Sequence, residues 1–239
     1  MLLRFPTSQA EARECADAGA VPVGGATLVW ADWQEHGFPG LAMSLRDLPE
    51  ANALGPDRVG AAVTLDRVGA AVPHALRQAA AAVGNPMVRR TATVGGNLAG
   101  SGPRCLLPAL RVLRTRALVL GRRGLAETDL DRSLAERRLL VGLRWTEPVT
   151  SACRKLRAHP DGPPPVVAVA LHAPREGSAQ VRVAVRVGRE LLTAVTDTDG
   201  GPVAVLRALR ETPLAELPRD VRDVLADQVA EVLAGAAAR

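Results

Sequence analysis

Apolar and polar residues alternate regularly in the C-terminal third of the chain. Every second residue from Val181 to Val187 is valine, with arginine or alanine between. A period of two predicts a half-buried β-strand at 181–188. The almost wholly apolar run at 165–171 predicts a neighbouring strand, and the segment 175–178 predicts the hairpin that joins the two.

A second pattern repeats every three to four residues and predicts helices. Val221, Val224, Leu225 and Val229 form such a stripe, so an amphipathic helix is predicted over 220–238. Alanine-rich stretches predict helices over 6–19 and 74–83, because Gly19 ends the first stretch and Gly84 follows the second. Short apolar runs at 21–23, 117–120 and 139–145 predict further strands. The chain is therefore expected to mix helices and sheets.

Two glycine pairs follow β-capable runs in the N-terminal half of the chain. The first segment is Val23-Gly24-Gly25-Ala26-Thr27-Leu28, and the second is Ala92-Thr93-Val94-Gly95-Gly96-Asn97. Glycine lets a ligand approach the backbone closely, and successive N–H groups at a tight turn can bind a phosphate or pyrophosphate. A simple Gly-Gly hairpin turn is the alternative. Neither segment has the GxGxxG or GxxxxGK[ST] spacing of other nucleotide sites.

The two segments resemble the flavin loops of a known family. The first is similar to the motif A-G-G-T-[DS]-L, and 88–98 is similar to I-R-N-x-A-T-I-G-G-N-L. Both motifs belong to the FAD-binding medium subunit of molybdenum hydroxylases, as in carbon monoxide dehydrogenase and the xanthine dehydrogenases. The second match is long and specific. The order and spacing of the loops agree with the family, and the resemblance extends over most of the chain.

The resemblance implies an α+β fold with three parts. A two-part FAD-binding domain of the PCMH, or vanillyl-alcohol-oxidase-like, type would have its subdomains at 1–50 and 51–148. A small α/β C-terminal domain at 153–239 would follow, with a three-stranded antiparallel sheet and a terminal helix. It resembles the C-terminal domain of the carbon monoxide dehydrogenase flavoprotein.

The resemblance also implies that the chain is a flavoprotein subunit and contains no catalytic residues that act on the substrate. FAD would be bound by Val23, Gly24, Gly25, Ala26, Thr27, Leu28, Ala92, Thr93, Gly95, Gly96, Asn97 and Ser101. Substrate would be oxidised at the molybdenum cofactor of a large partner subunit. Electrons would then pass through the iron–sulfur clusters of a small partner to FAD and on to an external acceptor.

Two departures from the family pattern keep an alternative open. The family usually has a threonine where this chain has Ala26, and an aspartate where this chain has Leu106. Both changes remove a hydrogen-bonding side chain. The alternative is therefore a degenerate member that has lost tight FAD binding and acts as an assembly or interaction subunit. A small-molecule binder that uses the same cleft is a third possibility.

Composition restricts the remaining function classes. The chain has 239 residues, is 47% hydrophobic and carries a net charge of +5. Its arginines are dispersed and aromatic residues make up 2%, so a nucleic-acid partner is not expected. The three cysteines lack CxxC spacing and the histidines are scattered, so no metal site is expected. With neither a signal-peptide core nor a membrane-length apolar run, we expect a cytoplasmic protein without a membrane contact.

Overall fold

Short strands and helices alternate along the chain. The computed structural model describes residues 1–100, 102, 104–157, 162–173 and 177–237. Within them the strands are β1 (Leu2–Arg4), β2 (Val21–Pro22), β3 (Leu41–Met43), β4 (Leu54–Gly55), β5 (Arg58–Gly60), β6 (Arg116–Gly121), β7 (Gly124–Asp129), β8 (Leu140–Arg144), β9 (Thr150–Lys155), β10 (Val166–His172), β11 (Gln180–Val187) and β12 (Glu190–Asp197). The helices are α1 (Gln9–Asp17), α2 (Val29–His36), α3 (His74–Ala81), α4 (Pro86–Thr91), α5 (Val94–Ala99), α6 (Leu107–Val112), α7 (Leu130–Ala135), α8 (Gly201–Leu209) and α9 (Arg219–Ala237).

The chain forms two compact units, and each is assembled from separate segments. The first unit contains Met1–Val72, Val83–Arg104 and Thr115–Trp145. The second contains Pro73–Ala82, Cys105–Arg114 and Thr146–Arg239. The chain therefore passes between the units several times before it completes the second one.

A small parallel sheet in the first unit has the strand order β1-β3-β2. Parallel neighbours need crossover connections, and α1 and α2 supply them. The Ser8 side chain accepts the N–H of Glu11 and so caps the start of α1, while Gly19, with φ of 79°, lies just beyond its end. The predicted helix over 6–19 and the strand at 21–23 are thereby confirmed with shorter bounds.

An antiparallel sheet of five strands completes the first unit, in the order β4-β5-β8-β6-β7. It confirms the strands predicted at 117–120 and 139–145. Gly60 ends β5 so close to the backbone that a Cβ built on it would overlap the carbonyl of Ala51. The next residue, Ala61, donates its N–H to Val141 (2.8 Å) and presents its own carbonyl to the second glycine pair.

The sheet of the second unit corrects one expectation. Its strand order is β12-β11-β10-β9, all antiparallel, so it has four strands instead of the predicted three. Strand β12 is an edge strand in which only Ala194 is buried, so its sequence lacks the clean alternation that identifies a half-buried strand. Strands β10 and β11 and helix α9 confirm the other predictions for this region, and part of the predicted hairpin at 175–178 lies outside the described residues.

The two faces of this sheet carry different side chains. Val181, Val183 and Val185 of β11 pack with α8 and α9 in one apolar cluster. The alternate residues of β10 and β11 lie on the other face, which contacts α6. His172 ends β10 on that face, is 6% exposed, and its Nε2 lies 2.8 Å from the carbonyl oxygen of Val112 in α6.

His172 is expected to make the stability of the protein depend on pH. Burial, with the charges of Arg182 and Arg114 nearby, lowers the pKa of His172 below its usual value. The folded state therefore favours the neutral imidazole, and its contribution to stability is lost as pH falls from about 6.5 through the lowered pKa. In His172→Gln the free energy of unfolding should fall less steeply with decreasing pH than in the wild type, as measured by urea titration at several pH values. The exposed His36→Gln variant should reproduce the wild-type curve, and a wild-type curve for His172→Gln would contradict the assignment.

Candidate functional site

The first glycine pair lies in the loop between β2 and α2. The N–H of Val23 donates to the carbonyl of Met43 (2.8 Å), which ties the loop to β3. At its other end the N–H of Trp30 donates to Ala26 (3.0 Å), and α2 starts without a side-chain cap at Leu28. The loop is thus held at both ends while its middle follows an irregular path.

A run of unsatisfied donors occupies the middle of this loop. Among the described residues, no protein group accepts the N–H of Gly24, Gly25, Ala26 or Thr27. Gly24 and Thr27 are exposed, and the two residues between them are half-buried. Ala26 has a left-handed backbone with φ of 55°. Consecutive free amides around a left-handed residue, just before a helix, form an anion-binding concavity.

The second glycine pair has a different structure from the one predicted. The segment expected to be a strand and a tight turn is a pair of short helices, α4 and α5. Thr93 caps α5 by accepting the N–H of Gly96 at 3.0 Å. The N–H of Gly95 donates to Ala61 (2.8 Å), and that of Asn97 donates to the carbonyl of Thr93 (2.9 Å). These three N–H groups already have acceptors within the protein. The prediction of a nest of free amides at the second loop is therefore wrong.

Thr93 also brings the two loops into contact. A Cβ built on Gly24 would overlap the hydroxyl oxygen of Thr93, and one built on Gly25 would overlap the carbonyl oxygen of Thr91. The backbone of the first loop therefore lies directly on the junction between α4 and α5. A methyl group at position 25 would collide with backbone, and one at position 24 with the Thr93 side chain, which explains this glycine pair by close approach rather than by a hairpin turn.

Leu28 extends this contact along the chain that follows α5. A Cβ built on Gly100 would lie 2.6 Å from Leu28 Cδ1, and one on Gly102 would lie 3.3 Å from the same atom. Ala92 is buried and its carbonyl accepts the N–H of Leu65 at 2.9 Å, so it has a supporting role. Ser101, the last predicted site residue, lies outside the described residues.

The chemistry of the site is that of binding. The loops 23–28 and 92–97 contain no titratable side chain, so they offer hydrogen-bond donors but no general acid or base. Among the described residues, His, Cys, Asp and Glu form no group of three that could hold a metal ion. The carbonyls of Ala61 and Thr91, which shape the site, were missed by the sequence analysis, because backbone atoms have no signature in residue types.

Comparison with protein families identifies the cofactor of the chain. The sequence pattern of the family described as FAD binding domain in molybdopterin dehydrogenase matches residues 4–174. The chain belongs to this family. FAD is therefore its cofactor, and the free amides of the first loop fit the diphosphate of FAD. The comparison with curated proteins finds no match.

Membership in the FAD-binding family agrees with the mixed helix and sheet structure of the chain. The matched residues include both glycine pairs and continue to the end of β10. Leu106, where the sequence lacks the hydrogen-bonding side chain of the family, is fully buried beside the start of α6. In the part of the chain that the structure describes, no helix is both long and apolar enough to cross a membrane.

Replacement of Ala26 by glycine is expected to stabilise the protein. The left-handed conformation costs an L-residue about 1–2 kcal/mol, and glycine costs about 0.5–1 kcal/mol in backbone entropy. Ala26→Gly should therefore raise the free energy of unfolding by about 0.5–1 kcal/mol, measured by urea denaturation. Ala31→Gly, inside α2, should lower it by a similar amount. Destabilisation by Ala26→Gly would show that Ala26 is not left-handed in solution.

Proposed function

We propose that this chain is the FAD-binding electron-transfer subunit of a molybdenum hydroxylase-type complex. It would resemble the flavoprotein subunits of xanthine and carbon monoxide dehydrogenases. Family membership supports the flavin. The run of four free N–H groups from Gly24 to Thr27 carries the proposal, because it is the feature suited to a diphosphate.

Each loop contributes differently to the bound cofactor in this proposal. The amides of Gly24, Gly25, Ala26 and Thr27 donate to the diphosphate, and the partial positive charge at the start of α2 adds to the attraction. The Thr93 hydroxyl accepts from Gly96 and faces Gly24, so its own proton can be donated toward the ligand. The second loop therefore supports and shapes the first.

The remaining predicted site residues act through shape and side-chain bonds. Val23 and Leu28 bound the first loop, and Ala92, Gly95 and Gly96 build its support. Asn97 and Ser101 are assigned to side-chain hydrogen bonds with the cofactor. We retain the division into subdomains 1–50 and 51–148 of PCMH type, and a C-terminal domain at 153–239, as part of the proposal.

The bound flavin supplies the ability to exchange one or two electrons. The protein supplies binding and orientation, which is the usual division of labour in a flavoprotein. The proposed partners are an iron–sulfur small subunit and a large subunit with the molybdenum cofactor. Electrons would enter from the iron–sulfur clusters and leave to an external acceptor, in the cytoplasm.

A visible absorption spectrum of the purified chain tests the cofactor assignment. Flavin bands that survive desalting after incubation with FAD are the expected result. ADP should compete with FAD, because it carries the diphosphate, whereas riboflavin should not. If no flavin is retained, the interaction-only alternative is favoured. If riboflavin competes and ADP does not, the amides of 24–27 do not hold the diphosphate.

The metal content of the native complex tests the electron-transfer role. The chain, tagged and purified from its own host, should bring molybdenum and iron in fixed ratio to flavin, measured by inductively coupled plasma mass spectrometry. A flavin-containing chain that purifies without either metal would contradict the role in a molybdenum hydroxylase complex while leaving FAD binding intact.

A further inference from the structure

Arginine side chains gather at one end of the sheet in the second unit. Arg182 lies on β11, Arg111 lies in the last turn of α6, and Arg114 follows two residues after that helix ends. The N–H of Arg114 donates to the carbonyl of Arg111 (3.2 Å). Burial and the charges of Arg114 and Arg111 lower the pKa of Arg182. Helix α6 packs on β11, so the guanidinium groups are close enough to repel one another.

The cluster lacks an acidic partner for two of its members. In the described part of the second unit, the ion pairs join Arg154 to Asp227 and to Glu231. Neither Arg114 nor Arg182 takes part in one. Asp197 is diagonal to Arg182 in the β11–β12 register, yet forms no ion pair with it. Like charges at a partly buried position are unfavourable without an anion between them.

His172 adds an acceptor beside the arginines. It is diagonal to Arg182 on the same face, because His172 pairs with Gln180 and Ala170 pairs with Arg182. Its Nε2 must carry a proton to donate to the carbonyl of Val112, so Nδ1 keeps a lone pair at neutral pH. This Nδ1 is buried and has no hydrogen-bond partner among the described residues.

We propose that Arg111, Arg114, Arg182 and His172 bind a phosphate group in its monohydrogen form. Guanidinium groups are the preferred partners of phosphate oxygens, and three of them suit a dianion better than a single carboxylate. The one P–OH proton donates to Nδ1 of His172. Sulfate lacks this proton, so it cannot satisfy the histidine. Arg114 is exposed and Arg182 partly so, and rotation of these long side chains gives the ligand access.

Titration calorimetry of the full chain with inorganic phosphate at constant ionic strength tests the proposal. Wild type should bind phosphate at least tenfold more tightly than sulfate. Arg114→Gln and Arg182→Gln should each weaken phosphate binding at least tenfold, with an unchanged circular dichroism spectrum. Arg189→Gln, in the exposed turn after β11, is the matched control and should stay within twofold of wild type.

Four outcomes would overturn the proposal. Phosphate could bind equally well to Arg114→Gln and Arg182→Gln, which would exclude the cluster. Arg189→Gln could lose as much affinity as they do, which would indicate only a general charge effect. Sulfate could match phosphate, which would exclude the contact with His172. Phosphate binding that survives in Gly25→Ala separates this site from the FAD loop, whereas its loss there would assign the phosphate to that loop.

Discussion

Gly25→Ala is expected to weaken FAD binding by at least two orders of magnitude. The added methyl group would overlap the carbonyl oxygen of Thr91, which belongs to the backbone of α4 and cannot rotate away. The loop must then move, and its four free N–H groups lose their common direction. Hydrogen bonds to a charged group contribute about 1.5–3 kcal/mol each, so the loss of two weakens FAD binding by roughly a hundredfold or more. Fluorescence titration of the apoprotein with FAD measures the Kd of each variant.

Two further glycine variants make this result specific. Gly40→Ala places the same methyl group in open space in the same unit, so its Kd for FAD should stay within twofold of wild type. Gly24→Ala would meet only the Thr93 side chain, and we expect a smaller loss of about tenfold, or about 1.4 kcal/mol. Unchanged circular dichroism confirms that the variants are folded. Wild-type affinity in folded Gly25→Ala would exclude the first loop as the diphosphate site.

Ala26→Asp is expected to weaken FAD binding strongly relative to Ala26→Asn. Both residues tolerate the left-handed backbone of position 26 and have nearly the same shape. Only the aspartate puts a negative charge beside the diphosphate, and it also attracts the free N–H groups to itself. Two like charges about 6 Å apart at an effective dielectric constant of about 20 repel by roughly 3 kcal/mol.

Solvent screening at this partly exposed loop reduces the expected difference to about 2 kcal/mol, or roughly thirtyfold in Kd. The difference between the two variants should shrink as sodium chloride is raised from 20 mM (about a 20 Å Debye length) to 500 mM, where the Debye length of about 4 Å is shorter than the separation of the charges. Equal affinities of Ala26→Asp and Ala26→Asn at low salt would contradict a diphosphate at the first loop. Riboflavin, without phosphate, should not distinguish the two variants.

Periodic patterns predicted the regular elements of the second unit well. The sequences of strand β11 and helix α9 repeat with the periods of a strand and a helix, and strand β10, which is buried on both faces, is a continuous apolar run. Strand β12 was not predicted, because an edge strand with one buried residue has little apolar signal in its sequence. The number of strands in a sheet therefore could not be read from alternation alone.

Local sequence also gave a wrong structure for the second glycine pair. The residues from Val88 onward suit a strand, yet Asn85 and Thr93 each accept a backbone N–H and start short helices there. Capping contributes about 1 kcal/mol per helix, enough to outweigh weak β-propensities. The N–H of Gly95 then bonds to Ala61, a residue 34 positions earlier, and no local pattern reports that pairing.

The sequence by itself determined the family of the chain and the two segments proposed to bind its cofactor. It did so because two glycine pairs, with Thr93 and Asn97, recur at a characteristic order and spacing. Only the tertiary structure decided which loop has donors to offer. Both loops have backbone N–H groups. Those of the second loop donate to Ala61 and Thr93, whereas those from Gly24 to Thr27 have no acceptor among the described residues. Hydrogen-bond satisfaction depends on which distant atoms come within reach, and residue types do not encode this.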